Sequence, residues 1–389
     1  LQTESGHTTT SNNLPTVAID YTPAYEQGAG IGRYVRELVA ALAQQDQQTP
    51  YRLFVAGARP GSLPAPPAPN FSWRSTRFSP LWLARIWHRL HAPLPVESFT
   101  GSINIYHATD FVLPPTTAKA HTIVQVHDLS FVRVPEAAAP NLKAYLDRVV
   151  PNSVRRADQV LADSQATKED LIEFYKLSSD KITVLHGGVD ERFQPSSEAV
   201  VLAVRQKYHL SDFRYIFSVG TVQPRKNYGR LIEALAYLRS RQHDVHLVIA
   251  GGRGWLEDPI YRMIETTKMQ AFVHFIGFAD DADLPALYSG ADCLAFPSLY
   301  EGFGFPVLEA MACGTPVMTS NVSSLPEVAG DAALTVDPYD LDAICNALEQ
   351  LLNNNELRQM LIARGFTQAQ RFTWTASAAK LQQIYHFAR

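Results

Sequence analysis

Glu301 and Glu309, separated by seven residues, bracket the segment that most constrains how this chain folds. The stretch Glu301-Gly302-Phe303-Gly304-Phe305-Pro306-Val307-Leu308-Glu309 sets one carboxylate on a glycine-rich turn and the second about one turn into a helix. Pro306 suits the first helical position, where its missing N–H would be unpaired in any case. Gly314, followed by Thr315-Pro316, suits the helix end. Residues 292–297 read as a buried parallel strand and 316–320 as the next one. A strand, a glycine loop, a helix and a strand in this order commit the region to a parallel α/β sheet. The helix N-terminus offers free N–H groups and a positive dipole end to an anion. Two carboxylates beside an anion are repelled by it, so their natural partners are neutral hydroxyls, as on a sugar or a ribose.

The same alternation divides the chain into two α/β halves. The first opens with a strand over 16–20 and a long loop to Gly28-Ala29-Gly30-Ile31-Gly32-Arg33. A helix follows with Tyr34, Val35, Leu38, Val39 and Leu42 on its apolar face, then a strand over 51–56 and a Pro-rich loop over 59–70. Further strands are expected at 103–107, 121–126, 159–162 and 181–185. His186-Gly187-Gly188-Val189-Asp190 reads as the crossing into the second half. There, strands at 215–219, 246–250 and 273–276 alternate with helices at 228–239, 259–269 and 283–289. Helices at 341–352, 355–364 and from about 375 close the chain. In such sheets ligands bind at the carboxyl ends of strands, and with two of them the cleft between is the expected site.

The 389 residues suffice for two domains of ordinary size. A formal net charge of −4 gives no reason to expect nucleic acid as a partner. Cys293, Cys313 and Cys345 fit neither a disulfide framework nor a zinc site, which suggests buried thiols in a reducing compartment. Residues 1–13 are polar and without an apolar signal core, so a tag remnant or loose arm is expected there. No run of 18 apolar residues exists to span a membrane. Residues 81–91, with Trp82 and Trp87 among aliphatics, arginines and histidines, suit either an interfacial helix or one packed on its own domain. A cytoplasmic protein is expected, with a peripheral position on the inner membrane face if this segment is interfacial.

Several loops at strand ends carry chemistry. Residues 28–33 have G-x-G-x-G spacing after a long loop, and no acid ends the second strand, so they do not make a dinucleotide fingerprint. Gly28 and Gly30 still allow close backbone approach by a ligand, and Arg33 in a first helical turn calls for a phosphate or carboxylate neighbour. His127-Asp128 follows a strand directly. His127 can donate to a substrate hydroxyl or titrate near neutrality, and Asp128 can orient it or hold the loop. Arg225-Lys226 stand on a turn before a helix, a fork and a point charge that suit a diphosphate. Gly251 and Phe278 end two further strands and can border a nucleobase or phosphate. No metal-binding cluster is apparent, Asp281-Ala282-Asp283 lying in a polar turn. There is no G-x-S-x-G or P-loop motif either.

Together His127-Asp128-Leu129-Ser130-Phe131, residues 220–227, Phe296-Pro297-Ser298-Leu299-Tyr300-Glu301-Gly302-Phe303-Gly304 and residues 321–330 resemble the retaining GT-B glycosyltransferases of the E-x7-E type, glycosyltransferase family 4. The likeness runs from about residue 15 onward and is similar to the bacterial mannosyltransferases of O-antigen and exopolysaccharide synthesis. It implies two Rossmann-like domains facing each other across a deep cleft. An acceptor-side domain would span 14–187 and a nucleotide-sugar domain 188–374, with a helix at about 375–389 packing back on the first. It implies Arg225 and Lys226 on the diphosphate, Glu301 on donor-sugar hydroxyls, Glu309 on the ribose and His127 near the anomeric centre. Phe303 and Gly304 amides would face sugar and phosphates. Gly30, Gly251, Phe278 and Leu308 would complete the donor side, and Gly28, Arg33 and Asp128 the acceptor side. No cofactor or metal is implied, only a nucleotide-sugar donor, GDP-mannose before UDP-glucose, and a glycan or lipid-linked acceptor. The usual Pro-Asn-Gly-Val-Asp at the crossing is His186-Gly187-Gly188-Val189-Asp190 here, which puts contacts from that segment in doubt. The alternatives are a GT-B epimerase, a phosphorylase (without its pyridoxal lysine motif) and a non-catalytic nucleotide-sugar sensor.

Overall fold

The computed structural model describes residues 14–28, 30–59, 61–90 and 92–388. Residues 1–13, where an arm was expected, lie outside them. The first half forms a sheet of β1 (Val17–Asp20), β2 (Tyr51–Ala56), β3 (Phe71–Thr76), β4 (Ile105–Ala108), β5 (His121–Val126), β6 (Gln159–Ala162) and β7 (Ile182–Val184). The order is β3-β2-β1-β4-β5-β6-β7, with parallel pairing. The second half contributes β8 (Tyr215–Val219), β9 (His246–Ala250), β10 (Val273–Gly277), β11 (Cys293–Phe296), β12 (Val317–Ser320) and β13 (Ala333–Val336). Their order is β10-β9-β8-β11-β12-β13, again parallel. Both are doubly wound sheets whose strand order reverses at one point, between β1 and β4 and between β8 and β11.

The strands are nearly continuous apolar runs because both sheet faces are covered. In the first sheet Ala18, Phe54, Tyr106 and Val124 point into one core, and Val17, Ile19, Leu53 and Ile123 into the other. The second sheet divides likewise between Phe217, Val248 and Phe296 on one face and Ile216, Leu247 and Ala295 on the other. All three cysteines are buried and free. The chain crosses between halves twice. Val189 N donates to Phe372 O at 3.0 Å, and Ser377 Oγ donates to His186 O at 2.7 Å. A Cβ on Gly188 would sit 2.2 Å from Trp374 N, so only glycine fits where the strands of crossing chain touch. The last helix, Trp374–Phe387, packs Ala378, Leu381 and Tyr385 into the first sheet's core beside the helix Ile31–Gln45.

Several elements lie where no range was read from sequence, among them two strands and two helices. β3 and β13 are edge strands, buried only in part along their length, so their sequences lack an apolar run. Helix Glu198–Lys207 buries only Val204, and so carries almost no apolar stripe. Helix Thr22–Glu26 is a short turn nucleated by Pro23 within the long first loop. Residues 81–90 pack in part on their own domain and in part face outward. Helix Pro80–Ala84 runs into a π-helical turn, Arg85–Arg89, with Leu83 buried and Trp87 Nε1 donating to Leu94 O at 2.8 Å. Phe78, Leu81, Trp82 and Leu90 face outward, more than half exposed. His91 lies outside the described residues.

Candidate active site

The carboxyl ends of both sheets face one another across a cavity of about 490 Å³. Its walls come from the loops after β1, β5 and β6 on one side and after β8, β9, β10 and β11 on the other. The turn Pro224–Lys226 follows β8. Asn227 ends it in the left-handed region (φ 60°), and its buried amide donates to Pro297 O at 3.0 Å and Pro338 O at 2.7 Å. The turn is thereby pinned to the segment after β11.

That pinning brings both cations onto Glu301. Arg225 approaches Oε2 at 2.7 Å and also donates to Tyr300 O at 2.6 Å, and Lys226 Nζ donates to Oε1 at 2.7 Å. Ser324 Oγ lies 2.9 and 2.6 Å from the carbonyl oxygens of Glu301 and Phe303, which share its one hydrogen, and the Glu301 N–H donates to Ser323 Oγ at 3.0 Å. The glycine turn is therefore rigid. Burial favours a neutral Glu301, but Arg225 and then Lys226 outweigh it and bring the carboxyl down to about 2. Burial lowers Lys226, with Glu301 opposing. Helix Phe305–Ala312 begins immediately beyond, with Gly304 (φ 116°) as its cap residue.

Glu309, buried, accepts from Arg33 of the first half and from Tyr288 OH at 2.8 Å. The neighbour that Arg33 required is thus a carboxylate of the chain itself, and its guanidinium also lies 5.6 and 5.7 Å from the rings of Phe193 and Phe305. His127 is buried at the cleft floor, with Nδ1 2.8 Å from Asp163 Oδ2 and Nε2 2.8 Å from Thr109 O. Burial opposes its charge, yet Asp163 and Asp110 raise it to about 9. A Cβ on Gly302 would lie 2.1 Å from the His127 carbonyl oxygen, so the glycine turn of one half rests on the floor of the other.

Gly30, Arg33, His127, Asp128, Arg225, Lys226, Gly251, Phe278, Glu301, Phe303, Gly304 and Glu309 all line the cavity. Phe278 stands at its mouth, 61% exposed. Asp128 Oδ1 accepts from Ser130 N at 2.9 Å and so holds its own loop. Gly28 and Leu308 are not on the wall: the Gly28 carbonyl accepts from Arg36 at 2.5 Å, and the Leu308 side chain is wholly buried in the core. Asp163 and Tyr34 line the cavity without being among the sequence candidates for the site, and Asp281, set aside there as part of a polar turn, lines it too. Asp163 stands at the carboxyl end of β6, the signal that marked His127. The adjacent Ser164 caps the next helix by accepting from Thr167 N, so the pair reads equally as a helix start. At the crossing, His186 stacks on Phe303 (5.9 Å, 29°) and pairs with Glu327 at 2.5 Å. Glu327 also accepts from Gln165 N at 2.9 Å, so the departure from the family pattern ties the two halves together. Tyr300 OH to Asp170 (2.5 Å) and Trp255 Nε1 to Ala137 O (2.8 Å) do the same. Among the described residues no group of three or more His, Cys, Asp or Glu side chains is arranged to hold a metal ion. None of their helices is long and apolar enough to cross a membrane.

Two Rossmann-like domains with their strand ends facing across a charged cleft define the GT-B class of glycosyltransferases. Sucrose-phosphate synthase from Thermosynechococcus elongatus superposes with a TM-score of 0.75 at 22% identity, covering 96% of this chain and 98% of that one. Anabaena HepE in complex with UDP-glucose superposes with a TM-score of 0.70 at 17% identity, over 95% and 98%. Residues 28–193 match the model for Glycosyltransferase Family 4 and residues 203–368 that for Glycosyl transferases group 1. The O-antigen chain mannosyltransferase B of Escherichia coli is 33% identical over 356 residues, 89% of this chain and 92% of that protein. The chain belongs to this glycosyltransferase family, group 1 and family 4, and is a hexosyltransferase.

Proposed function

We propose that the chain is a retaining mannosyltransferase that moves mannose from GDP-mannose to a hydroxyl of a glycan or lipid-linked acceptor, without a metal ion. The observation that carries this reading is the convergence of Arg225, Lys226 and the start of helix Phe305–Ala312 on one wall, with Glu301 and Glu309 on the same cavity. The resemblance of 89% of the chain to an O-antigen mannosyltransferase supports the choice of sugar.

The diphosphate lies against Arg225, Lys226 and the amides of Phe303 and Gly304. As the glycosidic C–O bond lengthens, negative charge grows on the departing phosphate oxygen, and these fixed donors stabilise it with little reorganisation. Glu301 orients sugar hydroxyls, Glu309 takes the ribose, and the base lies toward Gly251 and Phe278. His127 borders the anomeric centre from the first domain. The acceptor oxygen attacks from the face the diphosphate leaves and passes its proton to the departing phosphate oxygen, which retains the anomeric configuration. Thermal-shift screening of GDP-, UDP- and ADP-sugars, followed by turnover with EDTA present and NMR of the product anomer, tests each part. Stabilisation by UDP-glucose but not GDP-mannose overturns the donor, and an inverted product overturns the mechanism.

The same reading has the protein working at an anionic membrane surface. Phe78, Leu81, Trp82 and Leu90 are exposed together with Arg77, Arg85 and Arg89, an apolar patch with a basic rim. Trp82 rather than Trp87 is the anchor, since Trp87 is half-buried and hydrogen-bonded inward. Trp82→Ser is expected to lose co-sedimentation with phosphatidylglycerol vesicles, and equal binding by wild type and variant refutes the contact.

A further inference from the structure

We propose that Asp163 is a positioning residue that holds His127 as a doubly protonated imidazolium, at the cleft end of a buried polar chain crossing the first sheet. The chain begins on the last helix, where Tyr385 OH lies 2.7 Å from His107 Nδ1. His107 is on β4, Gln125 on the neighbouring β5, and Asp163 just beyond the next strand, β6. Gln125 Nε2 donates to Asp163 Oδ1 at 2.7 Å, and Asp163 Oδ2 faces His127 Nδ1 at 2.8 Å. His127 Nε2 ends the chain on Thr109 O at 2.8 Å. Between the Tyr385–His107 pair and the Gln125–Asp163–His127 group the chain is interrupted: His107 Nε2 and Gln125 Oε1 are both buried without a hydrogen-bond partner among the described residues.

The partners fix where the protons are. A backbone carbonyl only accepts, so His127 Nε2 carries hydrogen. An imidazole is about 2.6 pH units more basic than an aspartate, so the proton between Asp163 and Nδ1 sits on the ring. Gln125 Nε2 donates to the same carboxylate, which accepts from both neighbours. Among the described residues the titratable groups around the His127 ring are Asp163, Asp110, His107, Asp128 and Tyr34. Burial pushes His107 down to about 3, so it stays neutral, and the one negative charge in the chain is that of Asp163.

His127 therefore offers a sugar neither a free N–H nor a lone pair. Its part is a fixed positive charge and a rigid floor, and it is no general base. That consequence rests on the reading of His127 as bordering the donor. The protonation state does not, and it can be measured without donor or acceptor. Nitrogen-15 NMR of the full chain labelled at histidine, with His127→Gln to assign the signal, reads it directly. Both ring nitrogens are expected at the protonated shift at pH 7.5, with titration only toward pH 9. A single protonated nitrogen at pH 7.5 overturns the proposal, whatever sugar the enzyme transfers. Asp163→Asn supplies the second readout. Its kcat is expected to fall at least tenfold between pH 6 and pH 8, with donor KM nearly unchanged, while wild-type kcat stays flat. Parallel pH profiles refute a positioning role. If Asp163→Asn does not fold, the wild-type spectrum alone decides.

Discussion

Lys226→Met separates the charge needed for folding from the charge needed for transfer. The ammonium is buried, 2.7 Å from Glu301 Oε1 and 4.6 Å from the centre of the Phe296 ring. Removing one partner of a buried ion pair costs about 3–5 kcal/mol when the other charge is stranded. Here Arg225 remains 2.7 Å from the other oxygen of Glu301, so the carboxylate is not stranded. The loss in unfolding free energy should therefore be nearer that of one charged hydrogen bond, about 1.5–3 kcal/mol. A protein with stability in the usual range of about 5–15 kcal/mol stays folded after that loss. Transfer has no such reserve. Loss of one donor aimed at growing oxyanion charge costs about 2.7–4 kcal/mol of barrier, roughly 100- to 1000-fold in kcat. Urea unfolding gives the first quantity, and single-turnover transfer at saturating donor gives the second. The reasoning is refuted if Lys226→Met turns over within about threefold of wild type, or if activity falls only in step with the folded fraction.

Three further outcomes follow from the same contacts. Glu301 is shifted from 4.5 to about 2, against the effect of burial, by Arg225 and Lys226, so its stabilisation is complete above about pH 4.5 and is lost as pH falls toward 2. That amounts to something on the order of 3 kcal/mol. Stability should fall more steeply across this window in wild type than in Glu301→Gln, and equal slopes would count against the pairing. Gly302→Ala sets a methyl against the His127 carbonyl, so the domains must part. A larger radius of gyration in solution scattering and at least tenfold slower transfer are expected, and unchanged scattering rejects the contact. Arg33→Met removes the cation paired with Glu309 and leaves that buried carboxylate uncompensated on the cavity wall. GDP should bind about fivefold weaker by calorimetry, equivalent to about 1 kcal/mol, and tighter binding would mean that Arg33 competes with the nucleotide for Glu309 instead.

What was legible in the sequence is what local rules encode. Pro306 and Gly314 bracket a helix, and the apolar runs of β8, β9 and β11 can only be buried strands. The strand-end rule then collects Arg225, Lys226, Glu301 and Glu309 on one wall. β3 and β13 escaped because an edge strand is half solvated and need not be apolar. Leu308 was drawn into the site by its motif, yet a helix residue adjacent to Glu309 points elsewhere, here into the core.

The pairings were illegible for a different reason. Arg33 meets Glu309 across 276 residues, and His127 meets Asp163 across 36, each from a different strand end. No local propensity records such a pair, because the first exists only once the carboxyl edges of both sheets oppose, and the second only once β5 and β6 lie side by side. Their electrostatics nevertheless follow from burial. A charge withdrawn from water needs a partner, so every acid read from sequence as waiting for a hydroxyl already has a cation. Arg33, Arg225 and Lys226 stand against Glu301 and Glu309, and Asp128 and Asp281 also line the cavity, three cations to four acids. The His127–Asp163 pair adds none. The cations therefore do not hold the cleft open by mutual repulsion, and a diphosphate is gripped locally, by Arg225, Lys226 and the helix N-terminus. The acids therefore do two things at once: they keep Arg225, Lys226 and Arg33 packed in place, and each carboxylate oxygen, able to accept a second hydrogen bond, can still receive a hydroxyl.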